Sequence, residues 1–462
     1  MSRGARERVY LVPEPLDPYP ARLIDHVFAR YGLRAVCLHA SEKNAHYHRD
    51  EFPPAFGRGV AAHVFGPPSR DGARALRSRY DIAGIAPVHE RAVSSAAAWI
   101  DLLDLGWNEA RVLGRFRNKY ALKEHVRAVR PDLRMNAIRR VASAEDVFAA
   151  PLPDRFVLKP NDGFGSRDVG FFSSRTPPGV IAAFLARAPG QAFLLEERIS
   201  GVEYCVNGQI DGEGTVTVTH VLCSMRAPAN GVANICRGLR HEARTSPRFA
   251  PLVDYAVAVM KATGLRRSPF HLELMLDPDL GPCLLEVGAR FGGNEIPLAA
   301  DDVHASRLRS FELAAHHYLF DGPTPITLDW DHHDRVDYMI LHGIAAAPAR
   351  VYSLAGIDAV EALREFRRWD RRPRIGMQVE RTIDLLTMPY SLHLMSDGAG
   401  TLDALADEVR DRIRWNGRTP AATRAVITLA GLAHRSYIRG TWMIKERLPP
   451  AIRRAIEAPL PS

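Results

Sequence analysis

The chain predicts an α/β domain followed by α+β lobes, and three observations point there. Residues 8 to about 112 alternate apolar runs of strand length with amphipathic helical runs, the pattern of a parallel sheet flanked by helices. Residues 156–172 close an apolar run with a lysine and pass directly into a glycine-bearing loop. Residues 271–293 place two glutamates on what reads as a hairpin.

In order, Val9-Tyr10-Leu11-Val12 is the first strand, Ala21 to Tyr31 an amphipathic helix, and Ala35-Val36-Cys37-Leu38 the second strand. Val60 to Phe65 is the third strand and Ile82 to Ile85 the fourth, followed by a helix from Ala92 to Leu105. From Leu113 to about Asp321 two α+β lobes are expected, split near residue 190, with the loop in the first and the hairpin in the second. Asp321-Gly322-Pro323-Thr324-Pro325 reads as a linker. Val336 to Trp415, with a strand at Tyr390 to Met395 and a helix at Leu402 to Trp415, gives a small α+β cap. Ala421 to Leu448 sets Val426, Leu429, Leu432 and Ala433 at helical spacing, with Arg424, Arg435 and Arg439 elsewhere. That tail reads as a basic amphipathic helix packed on the body or on a second subunit, with membrane-surface attachment as the rival. The expected boundaries are 1–112, 113–330, 331–420 and 421–462; there is no internal repeat or low-complexity tract.

A length of 462 residues suggests about three domains, and 46% hydrophobic with 25% charged residues is an ordinary globular mixture. Cys37, Cys205, Cys223, Cys236 and Cys283 are odd in number and lack Cys-x-x-Cys spacing, which argues against a disulfide framework or a zinc site and for reduced packing residues. The first ten residues lack a signal-peptide core, and no stretch approaches the roughly 18 apolar residues of a membrane span, so a cytoplasmic protein is expected. The net charge of +8 is concentrated in residues 421–462, whose seven Lys/Arg against two Glu supply +5 and leave +3 for the body. With no basic stripe across a folded surface, a nucleic-acid partner is disfavoured despite a pI of about 9.3.

Chemistry is concentrated in three segments. Lys159, at the end of Phe156-Val157-Leu158-Lys159-Pro160, can reach nucleotide phosphates as a point charge, and Gly163, Gly165 and Ser166 let backbone N–H groups close over them. This is neither a Walker A motif nor a Gly-x-Gly-x-x-Gly fingerprint, and taken singly Gly-Phe-Gly-Ser is more often just a hairpin turn. Residues 193–206 give two short strands joined by a polar hinge, able to offer backbone groups to adenine and Glu203 to a ribose. In the third segment Glu273 alternates with His271 and Met275, Asp277 to Pro282 breaks the strand, and Glu286 returns on Leu284-Leu285-Glu286-Val287. Paired carboxylates followed by Arg290 suit Mg²⁺-assisted phosphoryl chemistry, against the alternative of two solvated glutamates on a hairpin edge. His271 either touches the reacting phosphoryl group or a substrate carboxylate, or packs behind it. His46-Tyr47-His48 and His332-His333 lack metal-motif spacing and are expected in surface loops.

Together these residues resemble the ATP-grasp carboxylate–amine ligases, and within them the L-amino-acid ligase branch that makes dipeptides or related amides. The match is ordered along the chain: Arg117-Asn118-Lys119, Val157-Leu158-Lys159-Pro160, the loop Gly163 to Val169, the hinge Glu196-Glu197-Arg198-Ile199, Glu203, then Glu273 and Glu286. Ile85-Ala86-Pro87-Val88-His89-Glu90 is similar to the strand-to-helix step that precedes the grasp domain; the resemblance covers residues 8 to 330 well and 335 to 415 loosely. It implies an ATP-grasp fold with an N-terminal parallel α/β domain and a small C-terminal α+β domain. It implies ATP held by Lys119, Lys159, Gly163, Gly165, Ser166, Glu196, Glu197, Ile199 and Glu203, and Mg²⁺, or Mn²⁺ in its place, held by Glu273 and Glu286. Arg290, Lys159 and His271 would be catalytic; Glu90, Arg226, Arg237, Arg290 and Gly292 would contact substrate. The implied reaction joins a small-molecule carboxylate to an amine through an acyl phosphate, releasing ADP and phosphate, in a homodimer.

One departure stands out. Many relatives carry Glu-x-Asn-x-Arg at the second carboxylate with the Asn as a metal ligand, whereas Glu286-Val287-Gly288-Ala289-Arg290 has glycine there, as the amino-acid ligase branch often does. In residues 223–245, Arg226, Arg237, Arg240 and Arg244 suit bidentate pairing with a carboxylate, or a solvated loop. Two rivals share the architecture: a carboxylase of the biotin-carboxylase type using bicarbonate, and a nucleotide-binding regulatory module without turnover, which the presence of both lysines and both glutamates argues against.

Overall fold

The computed structural model describes residues 6–42, 52–163, 165–320, 326–398, 400 and 402–422. His46 and His48, Phe164, the expected linker 321–325 and the basic tail beyond residue 422 lie outside the described residues.

Strands β1 (Glu7–Pro13), β2 (Arg34–His39), β3 (Val60–Phe65) and β4 (Tyr80–Ile85) form the expected parallel sheet in the order β3-β2-β1-β4. β1 is buried on both faces: Val9 and Leu11 enter one core, Tyr10 and Val12 the other. The helix after β1 runs Pro18–Tyr31, starting earlier than its apolar periodicity suggested because Asp17 accepts from Tyr19 N–H at 3.2 Å and Pro18 suits the first turn. After β4 the helix is Glu90–Leu103.

The first lobe is an antiparallel sheet of β5 (Ile138–Val141), β6 (Arg155–Pro160), β7 (Gly170–Ser173) and β8 (Phe193–Glu197), in the order β5-β8-β6-β7. Its core joins Phe156, Leu158, Phe193 and Leu195 to Val147 and Ile181 of two covering helices. The second lobe contributes β9 (Val202–Ile210), β10 (Val216–Ala229), β11 (Val232–His241), β12 (Ser268–Asp277) and β13 (Gly281–Gly288). The C-terminal stretch adds β14 (Val336–His342), β15 (Ala349–Arg350), β16 (Leu354–Ala355), β17 (Phe366–Arg371), β18 (Gln378–Val379), β19 (Ser391–Asp397) and β20 (Arg414–Trp415). Three of these strands continue the second lobe's sheet, which runs antiparallel as β13-β12-β9-β10-β11-β14-β19-β17. The helix expected to reach Trp415 ends at Arg412, and Arg414–Trp415 turns back to pair with β16.

The helix Ser310–Leu319 anchors the N-terminal sheet to the rest of the molecule: Phe311, Tyr318 and Leu319 share a core with Tyr10, Val12 and Val27. Gly84 is required at this junction, since a Cβ there would lie 2.1 Å from the Trp107 ring and 2.5 Å from Tyr318 O. His332 and His333 are not in a surface loop. Asp329 caps a short helix, Trp330–Arg335, by accepting from His332 N–H at 3.0 Å, and His333 turns fully inward against His241, His304 and Trp330. The five cysteines are unpaired, four of them buried. Among the described residues no helix is long and apolar enough to cross a membrane.

Candidate functional site

Lys159 lies next to the last residue of β6 and Glu196 on the adjacent strand β8. The Glu196 carboxylate sits between two ammonium groups, 3.0 Å from Lys159 Nζ and 2.9 Å from Lys123 Nζ. Lys123 is fully buried and also donates to Asn136 Oδ1 at 3.0 Å. Burial opposes ionisation of Glu196, but the two lysines outweigh it and hold its carboxyl below the usual range. Glu196 therefore serves the lysines with its side chain, and only its backbone is free of that role. Sequence reasoning missed Lys123, although its spacing of one helical turn from Lys119 was a readable signal.

Lys119 opens the helix Lys119–Val129, capped by Asn118, whose Oδ1 accepts from Ala121 N–H at 2.9 Å. Asn161, just past Lys159, ties the lysine segments together: its carbonyl accepts from Lys119 N–H at 3.2 Å and its Oδ1 from Tyr120 N–H at 3.0 Å. Lys119 Nζ donates to Gly163 O at 2.6 Å and lies 3.1 Å from Glu286 Oε2. The loop beyond turns through left-handed backbone at Gly165, Ser166 and Asp168, with φ of +71°, +59° and +57°. Its tip reaches the C-terminal stretch, where a Cβ on Gly165 would lie 3.4 Å from Leu386.

The hairpin places Glu273 directly across from Glu286, both side chains 26% exposed. Asp277 Oδ1 accepts from Asp279 and Leu280 N–H groups at 3.0 and 3.1 Å, and Gly281 takes φ +78°, which closes the turn. A bulge beside Glu286 leaves Leu285 out of the ladder, and its carbonyl accepts from Lys159 Nζ at 3.3 Å. Burial raises the Glu286 pKa, but Lys119 and Lys159 pull harder and bring it down to about 2. His271 has one ring nitrogen 2.7 Å from Asn207 Oδ1 and the other 3.1 Å from Glu273 Oε1. Donor atoms of Cys205, His271 and Glu273 lie within 4.8 Å of one another.

Arg290 closes the far wall. Its Nε donates to Glu90 Oε2 and its Nη1 to Phe291 O at 2.7 Å, while Glu90 also pairs with Arg117, which reaches Asp162. Burial disfavours the Glu90 carboxylate, but Arg290 and Arg117 outweigh it and keep its pKa below the usual range. The glycines here make room: a Cβ on Gly288 would press on the Arg290 side chain at 3.1 Å, and one on Gly292 would meet His271 Nδ1 at 2.7 Å. The absence of a side chain at Gly288 thus makes room for the Arg290 guanidinium. Glu90, Phe116, Lys119, Leu122, Gly163, His271, Glu286, Gly288 and Arg290 line one narrow cleft.

Other expected site residues are occupied elsewhere. Arg226 is half-buried and pairs with Glu203 at 2.5 Å; Ser224 Oγ donates to the same carboxylate oxygen at 3.1 Å. Burial raises the Glu203 pKa against the pull of Arg226. Arg240 forks onto Asp337 at 3.2 and 2.7 Å, and Arg244 onto Asp334 at 3.1 and 2.9 Å. Arg237 lies half-buried on β11. Glu197 is exposed, with Oε2 accepting from Ala137 N–H at 3.4 Å, and Ile199 is buried.

Residues 152–297 match a family described as the ATP-grasp domain. No curated protein matches the sequence. The fold is similar to that of solved ATP-grasp structures. An L-amino acid ligase from Bacillus licheniformis superposes with a TM-score of 0.71 at 16% identity, over 90% of this chain and 99% of that one. A phosphoribosylglycinamide synthetase from Anaerococcus prevotii gives 0.62 at 10% identity, over 90% and 100%. A biotin carboxylase in an ATP complex from Campylobacter jejuni gives 0.59 at 12% identity, over 94% and 96%.

Proposed function

We propose that this protein, whose fold is the ATP-grasp fold, is an ATP-dependent carboxylate–amine ligase. It would activate an amino acid or amino-acid-like acid as an acyl phosphate, form an amide with an amine, and release ADP and phosphate. The observation that carries this reading is that Lys119, Glu286 and Arg290 line one cleft, with Lys159 against the Leu285 carbonyl and Glu273 directly across from Glu286, from segments far apart in sequence.

The donor set fits a hard cation, since Glu273 and Glu286 present carboxylate oxygens from directly opposed strands. Mg²⁺ bound there, or Mn²⁺, would neutralise phosphate charge. Lys119 and Lys159, both beside Glu286, would bring ammonium groups to the nucleotide phosphates, so phosphoryl transfer would be served by positioning and charge. The loop at Gly163 to Asp168 lies between Lys119 and Leu386, where it would keep water from the acyl phosphate. Arg290, oriented by Glu90, would stabilise the oxyanion formed when the amine attacks.

The test is product identity. Protein with ATP, Mg²⁺ and pools of amino acids and small amines should yield ADP, phosphate and a new amide mass. AMP with pyrophosphate would overturn the mechanism, and ADP release driven by bicarbonate alone would favour a carboxylase.

A further inference from the structure

We propose that Cys37, His39 and His63 form a binding site for one zinc-class transition-metal ion in the N-terminal domain. The parallel register sets Cys37 directly beside His63 on the neighbouring strand, and the two-residue period of β2 turns His39 to the same face. Cys37 and His39 are buried and His63 is half-buried. The sulfur and one ring nitrogen from each imidazole lie within 4.8 Å of one another. Tetrahedral zinc, with bonds of about 2.0–2.3 Å, would hold such atoms roughly 3.3–3.6 Å apart, so small side-chain rotations suffice.

Three further observations favour a ligand over simple packing. His39 Nε2 lies 2.9 Å from His63 Nδ1, which brings the two imidazoles together, while His39 Nδ1 is buried with no hydrogen-bond partner among the described residues, a condition that costs about 1–3 kcal/mol. Among the described residues the Cys37 thiol has only a long contact to Ala55 O at 3.8 Å. Both imidazoles are clamped by aromatic rings, His39 against Phe65 with centroids 5.1 Å apart and His63 against Phe56 at 5.0 Å, so the donors are preorganised. Binding would release the Cys37 thiol proton to solvent, because the thiolate is the form that ligates a metal. Two nitrogens and one sulfur select a borderline-soft metal over Mg²⁺ or Ca²⁺. Cysteine spacing gave no hint of this site because only one ligand is a cysteine and the third arrives on the next strand.

Cobalt(II) titration of the chelator-treated full chain tests the site. One equivalent should produce a thiolate-to-cobalt charge-transfer band with tetrahedral visible bands, both displaced by one equivalent of Zn²⁺. Cys37→Ser should remove the charge-transfer band, and His63→Gln should weaken binding by about 10–100-fold. Cys205→Ser, which alters the other cluster of mixed donors, should leave the band in place. Absence of the band in the unaltered protein would overturn the proposal without recourse to any variant. So would a band that survives Cys37→Ser and disappears in Cys205→Ser.

Discussion

Glu196→Gln should destabilise the protein by about 3–4 kcal/mol at pH 7.5, with Lys123 bearing the loss. The carboxylate is 2.9 Å from Lys123 Nζ and 3.0 Å from Lys159 Nζ, and the side chains of Glu196, Lys123 and Lys159 are 3%, 0% and 11% exposed. Removing one partner from a buried ion pair costs about 3–5 kcal/mol because the other charge is left unpaired. Lys159 keeps Glu286 as a neighbouring carboxylate, whereas Lys123 would retain the neutral Asn136 Oδ1. A stranded ammonium can shed its proton, which limits the cost to about 1.36 kcal/mol for each pH unit below a lysine pKa of about 10.4, roughly 4 kcal/mol at pH 7.5. The sign of the pH dependence follows. Lys123, already pushed down by burial, would fall further in the variant, so its penalty is full at neutral pH and shrinks as pH rises toward the unfolded-state value. At pH 9.5 about 1 kcal/mol should remain. Urea unfolding of both proteins at the two pH values measures this, and adding Lys123→Met should recover most of the loss by removing the unpaired charge. A variant within 1 kcal/mol of the parent at pH 7.5, or a loss unchanged at pH 9.5, would refute the charge-pair argument.

Glu286→Gln should reduce substrate-dependent ADP formation by at least about 100-fold with the fold retained by circular dichroism, because it removes a carboxylate oxygen beside Lys119 that we propose holds the metal; turnover within tenfold of the parent in a coupled ADP assay would sink that role. Gly84→Ala should cost about 1–3 kcal/mol or more, since the new methyl overlaps the Trp107 ring and Tyr318 O, and an unchanged melting temperature would contradict the packing of Ser310–Leu319 on the sheet. Burial depresses the pKa of His241 to about 4, and of His333, His342 and His393 to about 3. These imidazoles stay neutral in the fold while the unfolded chain binds protons below about pH 6.5, so the stability they contribute is present above that pH and lost as pH falls. The slope should reach up to about 1.4 kcal/mol per pH unit for each histidine, and His342→Gln should remove one histidine's share from the stability profile between pH 4 and 6.5; an unaltered slope would show that His342 titrates normally.

The signals legible in the sequence were local ones. Strand-length apolar runs with intervening helices specify the parallel N-terminal sheet, and turn residues specify the hairpin, so the pairing of Glu273 with Glu286 follows from a few neighbouring residues. Lys159 and the Gly163–Ser166 loop were visible for the same reason, since a lysine closing an apolar run and the glycines after it are neighbours in sequence. Which charges neutralise which was not visible. The Glu196 side chain braces two lysines, Arg226 pairs with Glu203, and Arg290 finds Glu90 across 200 positions of sequence. His332-His333 suggested a surface loop, but the cap at Asp329 winds them into a helix and buries His333. The sequence by itself determined the elements and the residue types each carries, because side-chain periodicity and turn chemistry act over a few residues. Only the tertiary structure decided the ion pairs, the eight-stranded sheet that joins the second lobe to β14, β17 and β19, and the meeting of Cys37, His39 and His63. Those depend on strand register and on how separate segments pack, and desolvation at the resulting contacts, not spacing along the chain, determines which charged and metal-ligating groups must find one another.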